Sequence, residues 1–277
     1  MTYCVAMKLD TGLVFLADSR TNAGVDQIST FRKMAVFEQP GERVLVLMSA
    51  GNLAITQAVV QRLCEPRGAD AASLWQVTSL AEAAHVVGDA LRAVHGRDGA
   101  ALKSFGIEFN ASFILGGQIG GEAPRLFMIY AAGNFIEATP ESPYFQIGEA
   151  KYGKPILDRV ITPSATLDEA AKCALISMDS TLRSNISVGL PLDLLVYEAG
   201  ALQVSKFVQI DQHNQYMQMI QNTWGERLRQ VFQEIPDPVW GAATAPDLAA
   251  QPVRAPLPAA LPGDEVPAAP VQRVAQA

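Results

Sequence analysis

The sequence predicts an α+β fold of four layers, αββα, with two β-sheets packed face to face and helices covering both outer surfaces. Three observations predict it. Several short segments alternate apolar and polar residues with period two, others carry an apolar stripe with period 3.6, and the two kinds follow the order sheet, helix pair, sheet, helix pair. Tyr3, Val5, Met7 and Leu9 alternate along residues 2–9, Asp10-Thr11-Gly12 supplies a turn, and Leu13 to Ala17 returns as a second strand. Ile28–Phe37 and Arg43–Ser49 flank the turn Gln39-Pro40-Gly41-Glu42, so the first fifty residues read as one β meander. Gly51-Asn52 ends that sheet. Ile55, Val59, Val60 and Leu63 make the stripe of a helix over residues 53–64, and residues 80–94 repeat the pattern.

The second half repeats the plan. Short strands are expected at 112–115, 126–130, 135–138 and 145–147, with GGQIGG at 116–121 as a hairpin turn. Helices follow at 151–160 and 167–182, the second begun by a Thr166 cap with Glu169 three residues later. Strands at 192–197 and 202–207 and a helix at 214–232 complete the domain, placed at 1–236. Nine of the 17 prolines fall in the last 42 residues, which lack periodicity, so 237–277 reads as a disordered Pro/Ala-rich tail.

Composition narrows the functions. The 277 residues are 49% apolar and 18% charged, as expected of a well-cored globular protein. A net charge of -7 argues against a nucleic-acid partner, which calls for a basic face. No apolar run reaches membrane-helix length and no secretory leader opens the chain, so a cytoplasmic location with no membrane partner is expected. Cys4, Cys64 and Cys173 are odd in number and far apart, and are read as reduced core residues. His85, His95 and His213 have no ligand-spaced partners, so neither a metal nor a cofactor is expected. GGQIGG lacks the Lys-Ser/Thr ending of a phosphate loop, and no G-x-S-x-G occurs.

What remains is the start of the chain. Thr2 is small enough at its side chain for Met1 to be removed, which would put a hydroxyl and a free α-amine on one residue. That amine titrates at about 7.7–8.0, close to working pH, so nucleophile and base would come together. Asp18 and Lys33, at strand ends converging on Thr2, would supply an anion and a cation, and the turn Ser49-Ala50-Gly51 an oxyanion N–H.

The stretch ADSRTNAG at 17–24, taken with Thr2, Lys33 and SAGN at 49–52, resembles a proteasome β-subunit of the N-terminal-nucleophile hydrolases. MTYCVAMKL, GEAKYGKPIL at 148–157 and STLRSNISVGLPLDLLVY at 180–197 narrow the resemblance to the bacterial proteasome-type Anbu (ancestral beta subunit) family, over residues 2 to about 232. The resemblance implies Thr2 as nucleophile and base, Asp18 as partner of Lys33, Lys33 as the cation that acidifies the Thr2 hydroxyl, and Gly51 as oxyanion donor. Ser184 and Ser187 fall where proteasome subunits carry Asp-x-x-Ser beside the terminal amine. Three departures accompany it: Ser184 replaces the acid, the Asp18–Lys33 loop is one residue short, and Gly148-Glu149-Ala150-Lys151 stands where a Gly-rich turn with a serine is expected.

A threonine-type peptidase acting on peptides or proteins is therefore expected. An amidase or isopeptide hydrolase at the same site is one alternative, and a catalytically weak assembly subunit another. The resemblance also implies self-association into a large homo-oligomer. It leaves room for an unfoldase that the sequence does not identify.

Overall fold

A computed structural model of the chain describes residues 2–23, 27–65 and 73–238. The chain divides into two units, Met1–Phe232 and Gln233–Ala277. The first carries the fold, and residues 239–277, most of the predicted tail, lie outside the described residues.

Strands β1 (Tyr3–Leu9) and β2 (Gly12–Asp18) pair antiparallel about the Asp10-Thr11 turn, with Cys4 opposite Ala17. A short ribbon of β3 (Arg20–Ala23) and β4 (Gln27–Thr30) follows, then β5 (Met34–Gln39) and β6 (Arg43–Gly51), helices α1 (Leu53–Cys64) and α2 (Leu80–Ser104), and strands β7 (Ala111–Ile119), β8 (Arg125–Ile129), β9 (Phe135–Glu137) and β10 (Tyr144–Gly148). Helices α3 (Ala150–Val160) and α4 (Leu167–Ser184), strands β11 (Leu192–Glu198) and β12 (Lys206–Ile210), and helix α5 (Gln215–Glu234) complete the order. One five-stranded sheet runs β10-β1-β2-β11-β12 and the other β5-β6-β7-β8-β9.

The period-two alternation of β1 explains the layers. Tyr3, Val5 and Met7 point outward into a core with Leu157 of α3 and Leu175 and Met178 of α4. Cys4 and Ala6 point inward, against Val46 and Met48 of β6 and Ile114 of β7. Both faces of β2 are covered in the same way, which is why GLVFLAD is apolar throughout and buried at every position. On the far side, Leu45, Leu47, Phe113 and Leu115 meet Ile55 and Val59 of α1 and Val87 and Leu91 of α2. These three cores separate the four expected layers. Helix starts are fixed locally: the Asn52 side chain accepts from the Ala54 N–H at 3.0 Å, and Thr166 and Glu169 form the expected reciprocal cap of α4.

The structure corrects several expectations. The first fifty residues are not one meander, because β1 and β2 belong to one sheet while β5 and β6 belong to the other. Nor does the second half form its own sheet, since β7–β9 extend β5–β6 and β10 pairs with β1. The expected strand 28–37 is broken at Phe31–Lys33, where the Phe31 N–H turns to the Ser19 carbonyl at 2.7 Å. GGQIGG is mostly strand rather than turn. Its first four residues lie in β7, where a Cβ on Gly116 would come 2.8 Å from both Phe15 and Leu126, and only Gly120-Gly121 turn. Helix α2 runs ten residues past its expected end, through Gly96 and Gly99. The strand expected at 202–207 begins at Lys206, because Leu202 is held in a turn by the Tyr197 hydroxyl at 3.2 Å and the Gly41 N–H at 2.9 Å. Cys4 and Cys173 are buried as expected, but Cys64 at the end of α1 is exposed.

His85 and His95 both lie on α2 and pack edge-on against Phe135 and Phe109, with ring centroids 4.8 Å apart in each case. Among the described residues no group of three His, Cys, Asp or Glu could hold a metal ion, and no helix is long and apolar enough to cross a membrane.

Candidate active site

The antiparallel register of β1 and β2 brings Asp18 to the start of β1. The Tyr3 N–H donates to Asp18 Oδ1 at 2.9 Å, so the carboxylate sits directly behind Thr2. The break at 31–33 does the rest. Leaving the β3–β4 ribbon there turns Lys33 inward, and its Nζ donates to Asp18 Oδ1 and to the Arg20 carbonyl, each at 2.7 Å. Lys33 is 6% exposed and Asp18 fully buried. An ammonium has three N–H donors, and these bonds use two.

Burial pushes the Asp18 carboxyl above the ordinary carboxylate range, opposed by the Lys33 ammonium and the N–H groups of Tyr3 and Gly189. The same setting disarms the neighbouring thiol. Burial, with the Asp18 charge beside it, pushes Cys4 far above its usual value, so it is held as a thiol and offers no nucleophile.

Thr2 separates two clefts. The smaller, about 140 Å³, is walled by Thr2, Thr21, Phe31, Lys33 and Ser49-Ala50-Gly51, which form the end of β6 rather than the expected turn. The larger, about 380 Å³, shares Thr2, Ala50 and Gly51 and is closed by Asn110, Ser112, Gly148 and Glu149. Gly51 must be glycine here: its φ is +120° and a Cβ would lie 2.4 Å from the Asn110 carbonyl.

The chain grips Thr2 from the β10 side as well. The Glu149 N–H donates to the Thr2 carbonyl at 2.7 Å, and Gly148, at φ +81°, passes so close that a Cβ would stand 1.9 Å from the same oxygen. Gly148→Ala is therefore expected to lower stability by more than the roughly 1–2 kcal/mol of a left-handed non-glycine residue alone. A thermal unfolding midpoint equal to that of the parent would refute this.

Of the six residues expected from sequence, Thr2, Lys33 and Gly51 line one cleft and Asp18 stands behind them. Ser184 and Ser187 line neither cleft. Ser184 ends α4 and is exposed, while the Ser187 N–H donates to the Asn185 side chain at 2.9 Å in the turn that follows. That turn nevertheless reaches the site: Gly189 offers its N–H to Asp18 Oδ2 at 3.4 Å, and Arg20 ties the turn down through the Ile186 carbonyl at 3.0 Å. Sequence reasoning missed Thr21, whose hydroxyl is buried at the smaller cleft without a hydrogen-bond partner among the described residues. The only available signal was its place three residues after Asp18.

Two face-to-face sheets, flanking helix pairs, and a Thr, Lys, Asp and Gly gathered where β1 begins define the proteasome β-subunit fold of the N-terminal-nucleophile superfamily. Solved structures narrow this. The chain is 53% identical to Anbu (ancestral beta-subunit) from Yersinia bercovieri, over 86% of this chain and 99% of that one, with a TM-score of 0.79. It is 51% identical to an Anbu (Gly-1) mutant from Hyphomicrobium sp. strain MC1 over the same shares, with a TM-score of 0.80. It is 47% identical to Anbu from Pseudomonas aeruginosa, solved as a helical assembly, again over 86% and 99%, with a TM-score of 0.82. No family model matches the chain, and no curated protein does. The chain belongs to the Anbu family.

Proposed function

We propose that this chain is a threonine-type peptidase in which Thr2, made N-terminal by removal of Met1, is both nucleophile and base. The observation that supports it most is the buried Lys33–Asp18 pair at 2.7 Å in the wall of a cleft that Thr2 borders. A desolvated ammonium beside a hydroxyl favours the alkoxide and so lowers the cost of attack. The Thr2 Oγ adds to the amide carbonyl carbon and its proton passes to the Thr2 α-amine. The new oxyanion takes the Gly51 N–H. Collapse breaks the C–N bond, the leaving amine takes the proton from the α-ammonium, and an ester on Thr2 remains. Water then adds with the amine again as base and releases the acid. Ser184 and Ser187 have no direct step here; their turn contributes through the Gly189 N–H that steadies Asp18.

Self-association goes with this reading, on the strength of the helical assembly formed by the Pseudomonas aeruginosa relative.

Intact-mass spectrometry before and after treatment with a peptide epoxyketone tests the reading, since that probe requires a hydroxyl and a free amine on one residue. The expected result is loss of Met1 and a single adduct mapped to Thr2. Retained Met1, or a processed chain with no adduct, would overturn it.

A further inference from the structure

We infer that Glu149 makes the larger of the two clefts at Thr2 a subsite for a cationic side chain, lysine or arginine, on one flank of the substrate's scissile amide. The inference rests on the reading of Thr2 as nucleophile and adds to it a substrate class. Both clefts share Thr2, Ala50 and Gly51, so an amide held between the Thr2 hydroxyl and the Gly51 N–H extends one flank into each. Their charges differ. The ionisable side chain of the smaller cleft is Lys33, already engaged by Asp18 and the Arg20 carbonyl. That of the larger is Glu149, among neutral Asn110, Ser112 and backbone.

Glu149 is placed firmly and left unspent. Its N–H is anchored on the Thr2 carbonyl at 2.7 Å, so the residue cannot drift from the nucleophile. Its side chain is 13% exposed, yet among the described residues its carboxylate accepts no hydrogen bond. It occupies the N-cap of α3 without capping it. Its one ion pair among the described residues is with Lys151 at 4.0 Å, and that lysine is 71% exposed, a geometry that contributes little in water. A largely desolvated carboxylate without donors gains most from a ligand that brings its own cation and hydrogen bonds. With about 380 Å³, the cleft has room for an extended lysine or arginine side chain.

The test uses full-length processed protein and quenched fluorescent peptides that differ only in carrying lysine, norleucine or glutamate at the positions flanking the cleaved bond. A kcat/KM about tenfold or more higher for lysine than for norleucine on one flank is expected. That ratio should fall towards one in Glu149→Gln and shift in favour of the glutamate peptide in Glu149→Lys. Equal use of lysine and norleucine by the parent overturns the subsite while leaving Thr2 as nucleophile. So does a lysine preference that persists in both variants. If no peptide is turned over, fluorescence anisotropy of the same peptides on Thr2→Ala protein decides the matter without catalysis. Tighter binding of the lysine peptide, lost on adding Glu149→Gln, supports the subsite, and equal binding overturns it.

Discussion

Thr2→Ala is expected to reduce peptide turnover by at least about 10⁴-fold, because it removes the attacking oxygen, and the other cleft hydroxyls, among them those of Thr21, Ser49 and Ser112, have no α-amine on the same residue to act as base. Cys4 offers no replacement either, being buried and held as a thiol. The substitution should leave the fold intact. Tyr3, whose hydroxyl is hydrogen-bonded to Ser177 of α4 at 2.5 Å and to Gln146 of β10 at 2.6 Å, anchors β1 without help from the Thr2 side chain. Thr2→Ser, which keeps both a hydroxyl and an amine, should retain measurable turnover. Undiminished hydrolysis by Thr2→Ala in a steady-state assay would remove the basis of the proposed mechanism.

Lys33→Ala should abolish turnover nearly as completely, and unlike Thr2→Ala it should also destabilise the protein. Removing one partner of a buried ion pair leaves the other charge uncompensated, at a cost of about 3–5 kcal/mol. For a domain of this size that corresponds to a Tm lowered by about 6–20 °C. The loss should depend on pH with a definite sign. Burial already raises the Asp18 carboxyl in the parent, and without the opposing ammonium it rises further. A carboxyl raised on folding binds a proton in the folded state where the unfolded chain has released one. Its contribution is therefore complete below the unfolded value of about 3.9 and is lost as pH climbs through the folded value. The Tm deficit of Lys33→Ala should therefore widen as pH climbs from the raised folded value of the parent's Asp18 through the still higher one of the variant. Asp18→Asn combined with Lys33→Met should recover much of the stability and none of the turnover. A deficit that is flat with pH would mean that Asp18 is not the charge left behind.

These outcomes turn on features of unequal visibility in the sequence. Thr2, Asp18, Lys33 and Gly51 could be named from residue type, strand ends and the resemblance of their surrounding blocks, because each sits at the end of a strongly patterned segment. The helices α1 and α4 were equally visible, since the apolar stripe of the one and the cap of the other are local. The connection between sheets was not. Strands 3–9 and 43–51 read alike as short apolar runs, and nothing local tells which strand hydrogen-bonds to which. Glu149 was visible only as a departure from the expected turn. That its carboxylate closes a cleft at Thr2 follows from β10 pairing with β1 across more than 130 residues of chain.

The sequence by itself determined the four-layer class, most helix starts and the residues proposed to react, because alternation, capping and residue chemistry act over a few residues. Only the tertiary structure decided that the first fifty residues serve two sheets and that the chain breaks at 31–33 to drive Lys33 onto Asp18. It also decided that two clefts of different charge meet at Thr2. Each of these depends on long-range backbone pairing and on the desolvation that pairing imposes, and neither quantity is carried by any single stretch of sequence.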